Sequence, residues 1–174
     1  MLGLKRGTLH LSPFDPEWKD HFLEERERIS DAIGEHILSI EHIGSTSIPG
    51  LSAKPVIDIG IGLKNFEAGF ACVKQMESLE YLYKGENGIK DRHYFRTDAD
   101  IVKFHVHMFS QGHPKLLDHL LFRDYLRAHP EEKQKYQQLK EELSQKYADQ
   151  RSLYTPGKAD FIQGILEKAH KEAS

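Results

Sequence analysis

Residues 56–63, Val-Ile-Asp-Ile-Gly-Ile-Gly-Leu, constrain the fold most, because their apolar side chains recur with a period of two. Successive side chains of a strand point to opposite faces, so Ile57, Ile59, Ile61 and Leu63 belong to a core-facing side. Val56, Asp58, Gly60 and Gly62 share the other side, where one carboxylate stands among residues too small to cover it. Just upstream, a short strand over residues 37–43 breaks into Gly44-Ser45-Thr46-Ser47, and the chain then passes Pro49-Gly50 and Pro55. A lone aspartate on the open face of a buried strand, shortly after a Gly-Ser turn, marks a place for a metal ion or a phosphate.

A second strand pattern supplies partners for it. Residues 101–109, IVKFHVHMF, set Val102, Phe104, Val106 and Met108 on an apolar face and Lys103, His105 and His107 on the other. Two imidazoles at i and i+2 project side by side and can reach one ion. Residues 91–96 alternate as well, with Arg92, Tyr94 and Arg96 on one face and His93 and Phe95 on the other. The turn at 98–100 joins the two stretches into a hairpin.

At 174 residues the chain fits one domain with its own core, spanning 1–174. Residues 8–12 read as a short edge strand. Asp15-Pro16 reads as a cap-and-proline start for a helix to about residue 32, with Trp18, Phe22, Ile29 and Ile33 inward and Glu24, Glu25, Glu27 and Arg28 toward solvent. Asn65 caps a helix over 66–79 that turns Phe70, Val73 and Met76 inward, and residues 81–83 are strand-like. From Pro114 the chain is helical: a stripe of Leu116, Leu117, Leu120, Leu121, Tyr125 and Leu126, then a helix over 131–147 on Tyr136, Leu139, Leu143 and Tyr147 whose charges read as a solvated face. A last helix follows Thr155-Pro156, with Phe161, Ile162, Ile165, Leu166 and Ala169 inward. The fold class is α+β, a mixed β-sheet with packed helices and a C-terminal helical tail.

Composition narrows the function. With 24 Lys and Arg against 27 Asp and Glu, the net charge of −3 gives no bulk attraction to nucleic acid or to an anionic membrane. The single Cys72 excludes an internal disulfide and a multi-cysteine zinc site. No segment is apolar enough to span a membrane, and the first residues lack a signal-peptide pattern, so a cytoplasmic protein is expected.

The run 42–46, His-Ile-Gly-Ser-Thr, then Pro49-Gly50-Leu51 and residues 53–59, Ala-Lys-Pro-Val-Ile-Asp-Ile, resemble the signature of the GrpB-like family. So do His105-Val106-His107, the block 121–127 (Leu-Phe-Arg-Asp-Tyr-Leu-Arg), and Tyr154-Thr155 with Lys158 and Phe161. The similarity runs from Trp18 to the last helix. It implies a nucleotidyltransferase-like fold of the polymerase-beta type. In that pattern a Gly-Ser turn grips a phosphate, while two carboxylates one residue apart on a strand and a third on its neighbour hold Mg ions against a nucleoside triphosphate. Gly44, Ser45 and Asp58 match it. Gly60 stands where the second carboxylate belongs, and the neighbouring strand offers His105 and His107 instead of an acid.

Those departures set the expectations for the site. One aspartate supplies too little charge for two Mg ions, whereas Asp58, His105 and His107 form a metal ligand set that suits Zn, Mn, Fe or Ni better than Mg. Asp58 and Ser45 are the candidate catalytic residues. Gly44, Ser45, Thr46, Ser47, Lys54, Arg92, Arg96 and Lys158 are the candidate phosphate-binding residues, and His42 orients the turn by a hydrogen bond. A structural role for Asp58, as acceptor for the amides of residues 45–47, stays open. A P-loop is excluded, since Lys54 does not directly follow Gly50 and no helix starts there. The expected ligand is a nucleotide or another phosphate-bearing small molecule, handled by a nucleotidyl- or phosphoryl-transferase. The alternative is a catalytically degenerate module that binds a protein or ligand.

Overall fold

The computed structural model describes residues 1–174. In chain order its elements are β1 (Leu4–Lys5), α1 (Glu17–Ile33), β2 (Ile37–Ile43), β3 (Ile57–Leu63), α2 (Ala68–Ser78), β4 (Tyr81–Tyr83), β5 (His93–Thr97), β6 (Ile101–Val102) and β7 (Phe104–Ser110), followed by α3 (Pro114–Ala128), α4 (Pro130–Lys146), α5 (Tyr154–Gly157) and α6 (Ala159–Ala173). Five strands make one mixed sheet in the order β2-β3-β7-β5-β4, in which β3 and β7 run parallel and the other neighbours antiparallel. β1 and β6 form a separate two-stranded ribbon.

The alternation of β3 does what its period requires. Ile57, Ile59, Ile61 and Leu63 are fully buried and pack in one cluster with Trp18 and Phe22 of α1, Met76 of α2, and Val106 and Met108 of β7. Burying each such side chain contributes about 2 kcal/mol, so this face alone anchors the sheet to α1 and α2. Local signals hold at the helix starts: Asp15 Oδ1 accepts from the Glu17 amide at 3.0 Å, and Asn65 Oδ1 from the Ala68 amide at 2.9 Å. The C-terminal helices build a second cluster around Leu126, Tyr136 and Ile165, which also seats Ile48 and Leu51 from the loop between β2 and β3.

Several local expectations are corrected. Residues 8–12 contribute only an isolated bridge from Ser12 to Ala53, and the edge strand is Leu4–Lys5 instead. The 101–109 stretch breaks at Lys103 into β6 and β7, because Ile101 and Val102 pair with β1. Glu25 does not face solvent: it is buried, accepting from the Tyr81 hydroxyl at 2.7 Å and from Arg28 at 2.8 Å. Phe70 is exposed, its ring edge-on to Phe66 and His93 rather than in the core. Lys140 breaks the solvated face expected of α4, since it is only 1% exposed.

The polar side of β3 is not open along its whole length. A Cβ on Gly60 would lie 3.1 Å from Leu116 Cδ1 of α3 and 3.2 Å from Ile43 Cδ1, so that end is walled by packed hydrocarbon. Only the Asp58 end gives onto a cleft, between the sheet and α3 to α5.

Candidate functional site

The parallel pairing of β3 with β7 sets Asp58 opposite His105 and Gly60 opposite His107, and β5 adds Tyr94 opposite His107 and Arg96 opposite His105. Period-two geometry then puts Asp58, His105 and His107 on one face, as the spacing predicts. His107 Nε2 lies 2.9 Å from Asp58 Oδ1, and His105 Nδ1 lies 3.5 Å from the same oxygen. Burial opposes a charge on Asp58, but hydrogen bonding from His105 and His107 outweighs it and holds the carboxyl well below the usual range. Asp58 is therefore an anion at neutral pH.

Arg92 defines the His107 tautomer. Its guanidinium is buried, donates to the Glu86 carbonyl at 3.1 Å and the Asn87 carbonyl at 2.9 Å, and stands 3.2 Å from His107 Nδ1. A guanidinium only donates, so Nδ1 accepts and the ring proton lies on Nε2, pointing at Asp58. A histidine that ligates a metal through Nε2 needs the reverse, an acceptor at Nδ1 to take its proton. No three His, Cys, Asp or Glu side chains are disposed to hold an ion. Asp58, His105 and His107 thus converge, but as a carboxylate held by imidazoles, and this donor set does not fit a resident metal.

The Gly44–Ser47 turn closes one end of the cleft. Gly44 has φ +73° and ψ −176°, a combination essentially restricted to glycine, and a Cβ there would sit 2.6 Å from Asp58 Oδ2. No amide of residues 45–47 donates to Asp58; the Ser47 amide turns back to the Gly44 carbonyl at 3.1 Å. Gly44→Ala should cost about 3 kcal/mol, read as a lower urea midpoint at unchanged slope. An Ala variant as stable as the parent would mean the turn is not pinned against the carboxylate.

The cleft has a volume of about 320 Å³. Its cations are Lys54, Lys140 and Lys158; Lys158 Nζ is 4.7 Å and Lys54 Nζ 5.4 Å from the ring centroid of the buried Tyr154. Its one carboxylate is Asp58, already engaged by both imidazoles. Burial, then Lys54, pushes the Lys158 ammonium down to about 8. Burial, then Lys158 and Lys54, holds Lys140 well below the ordinary lysine range. Its only hydrogen-bond acceptor is the Ser52 carbonyl. His119 of α3 completes the wall, pushed down by burial to about 4 and so neutral. Ser45 lies beside the Tyr136 phenol, which burial pushes up to about 12.

The other expected phosphate ligands are placed less uniformly. Thr46 Oγ1 is 2.9 Å from His42 Nε2, the orienting role expected of His42. Ser47 Oγ donates to the Gly44 carbonyl at 2.5 Å, and the Ser47 carbonyl accepts twice from Arg127, at 3.0 and 2.7 Å. Ser47 faces a different and larger hollow, of about 610 Å³, between α1, β2 and α3, which Asp58 does not line. Arg92 acts on His107 rather than on the cleft, and Arg96 lines an adjoining hollow. The sequence reading missed Lys140 and His119. Both carried a signal: Lys140 falls on the stripe Tyr136, Lys140, Leu143, and His119 on Leu116, His119, Leu126, where polar residues interrupt apolar helical spacing.

A Gly-Ser turn over a strand-borne aspartate, with a His-x-His on the parallel neighbour, defines one class of α+β protein. The GrpB protein family model matches residues 8–168, and the chain belongs to that family. It is 41% identical to the UPF0157 protein YqkA of Bacillus subtilis over 97% of this chain, and spans only 52% of that protein's length. The crystal structure of the conserved protein GrpB from Enterococcus faecalis superposes with a TM-score of 0.89 at 34% identity, covering 94% of this chain and 99% of that one. More distantly, the chain is 26% identical to a dephospho-CoA kinase of Mycolicibacterium paratuberculosis over 95% of this chain and 47% of that protein.

Proposed function

We propose that the cleft binds a nucleotide or a similar phosphate-bearing small molecule, with its phosphate among Lys54, Lys140 and Lys158. One observation carries this reading: three lysine side chains converge on a partly desolvated hollow whose single carboxylate is already hydrogen-bonded by His107 and paired with His105. Such a cluster costs stability unless an anion completes it. An adjoining lobe of about 320 Å³ shares Gly44, Ser45, Asp58, His119 and Lys158 with the cleft and adds Ile89, Phe122, Tyr136, Ile162 and Leu166, with Lys115 and Asp118 as its other charged walls. Its apolar surface suits a planar base.

Transferase chemistry is the finer part of the proposal. His105 Nδ1 stands 3.5 Å from Asp58 Oδ1 and its Nε2 has no hydrogen-bond partner, so Nε2 is the atom that would take a proton from an acceptor hydroxyl. No step is assigned to a metal. The walled Gly60 favours a second reading, a module that kept the phosphate site without the chemistry. Isothermal titration with a nucleotide panel that includes dephospho-CoA, followed by a turnover assay on any binder, tests both. Binding lost in Lys54→Ala and Lys158→Ala supports the site, and turnover abolished in Asp58→Asn with binding retained supports catalysis. If no phosphate compound binds, the site reading fails; binding without turnover leaves the non-catalytic module.

Lys158 makes the affinity pH-dependent. Below about 8 the free protein already carries this charge; above it, binding an anion must first recruit a proton. Affinity should therefore fall as pH rises through 8 to 9.5, approaching about tenfold per unit for one proton. Titrations in two buffers of different ionisation enthalpy should register the uptake at pH 8.5. Lys158→Met should weaken this dependence, leaving the part that Lys140 contributes.

A further inference from the structure

Beyond His105 the cleft opens into a second hollow of about 350 Å³, which shares Lys54, Val56 and His105 with it. Its charged walls are Lys5, Arg6, Lys54, Lys84, Arg96 and Arg151, with no carboxylate among the lining residues. Four different parts of the chain bring these together: the β1 ribbon, the loop into β3, the β4–β5 hairpin, and the turn before α5. Arg6 has a long ion pair to Asp100 at 3.6 Å, and Arg96 donates to the Thr97 carbonyl at 3.1 Å; Lys5, Lys84 and Arg151 have no acidic partner. In a chain of net charge −3, six cations around one hollow with no lining acid form a marked local excess of positive charge.

We infer that this hollow is a second anion site, holding the far phosphates of an oligophosphate chain whose first phosphate lies among Lys54, Lys140 and Lys158. The inference rests on the proposed phosphate cleft and narrows its ligand from any phosphate compound to one with several consecutive phosphates. The apolar lobe, the lysine cleft and the basic hollow are contiguous in that order, which matches a base, a first phosphate and an extended phosphate tail.

The test is titration calorimetry of the full chain with orthophosphate, pyrophosphate, tripolyphosphate and a single-stranded oligonucleotide. The parent is compared with the double variant Lys84→Glu/Arg151→Glu, both positions being exposed and outside the cleft. Tripolyphosphate should bind the parent about tenfold or more tighter than orthophosphate, and this gain should shrink as salt is raised. The double variant should lose the gain and keep orthophosphate affinity. If tripolyphosphate binds no tighter than orthophosphate, or the variant keeps the full gain, the second site is overturned while the cleft stands. Absence of binding by every phosphate compound overturns both. Tighter binding of the oligonucleotide than of tripolyphosphate overturns the small-molecule class.

Discussion

Lys140→Met should make the protein more stable by about 1–3 kcal/mol and weaken anion binding about tenfold or more. Lys140 is 1% exposed, in no ion pair, and the field of Glu141 is outweighed by burial and by the charges of Lys158 and Lys54. Methionine has nearly the same volume and keeps the van der Waals contact with the Tyr136 ring, over which Nζ lies at 5.0 Å. The lost hydrogen bond to the Ser52 carbonyl costs about 1 kcal/mol, less than the relief from removing a lone buried charge. The pH dependence follows in sign. The ammonium of the folded protein gives up its proton more easily than that of the unfolded chain, so its penalty is full at low pH and fades as pH climbs toward the ordinary lysine range. The parent should therefore gain stability on moving from neutral to alkaline pH by more than the methionine variant does. Urea denaturation at pH 7 and 9.5, with phosphate titration, checks both halves. A variant that is less stable and binds anions as before would mean that Lys140 is only a structural tether for Ser52.

Gly60→Asp should destabilise by about 3–5 kcal/mol and confer no Mg²⁺-dependent activity. The position is the one at which the nucleotidyltransferase pattern carries its second carboxylate. Here a Cβ would meet Leu116 and Ile43, which are 1% and 0% exposed, and the carboxylate beyond it would be an unpaired charge against hydrocarbon. Gly60→Asp/Leu116→Ala opens the wall and should recover part of the loss relative to Leu116→Ala alone. This non-additivity distinguishes a steric block from a general cost of the charge. Tolerance of the single aspartate, measured as an unchanged thermal midpoint, would show that the α3 wall yields and that its packing does not decide the chemistry.

Elements whose information is local and periodic were legible in the chain alone. The period of two over residues 57–63 and 104–109 settled which side chains of β3 and β7 face the core. It also settled that Asp58, His105 and His107 share a face. Asp15 and Asn65 marked helix starts because a cap is a contact between residues two or three apart. What that face can do depends on contacts between distant segments. Arg92, 15 residues from His107 in the chain, directs the ring proton toward Asp58, and α3 fills the hollow over Gly60. Lys140 reaches the cleft from a helix more than eighty residues beyond the Gly44 turn, and its partner Ser52 lies 88 residues away. Such contacts depend on how separate elements pack, and neither a spacing nor a propensity within one segment encodes them.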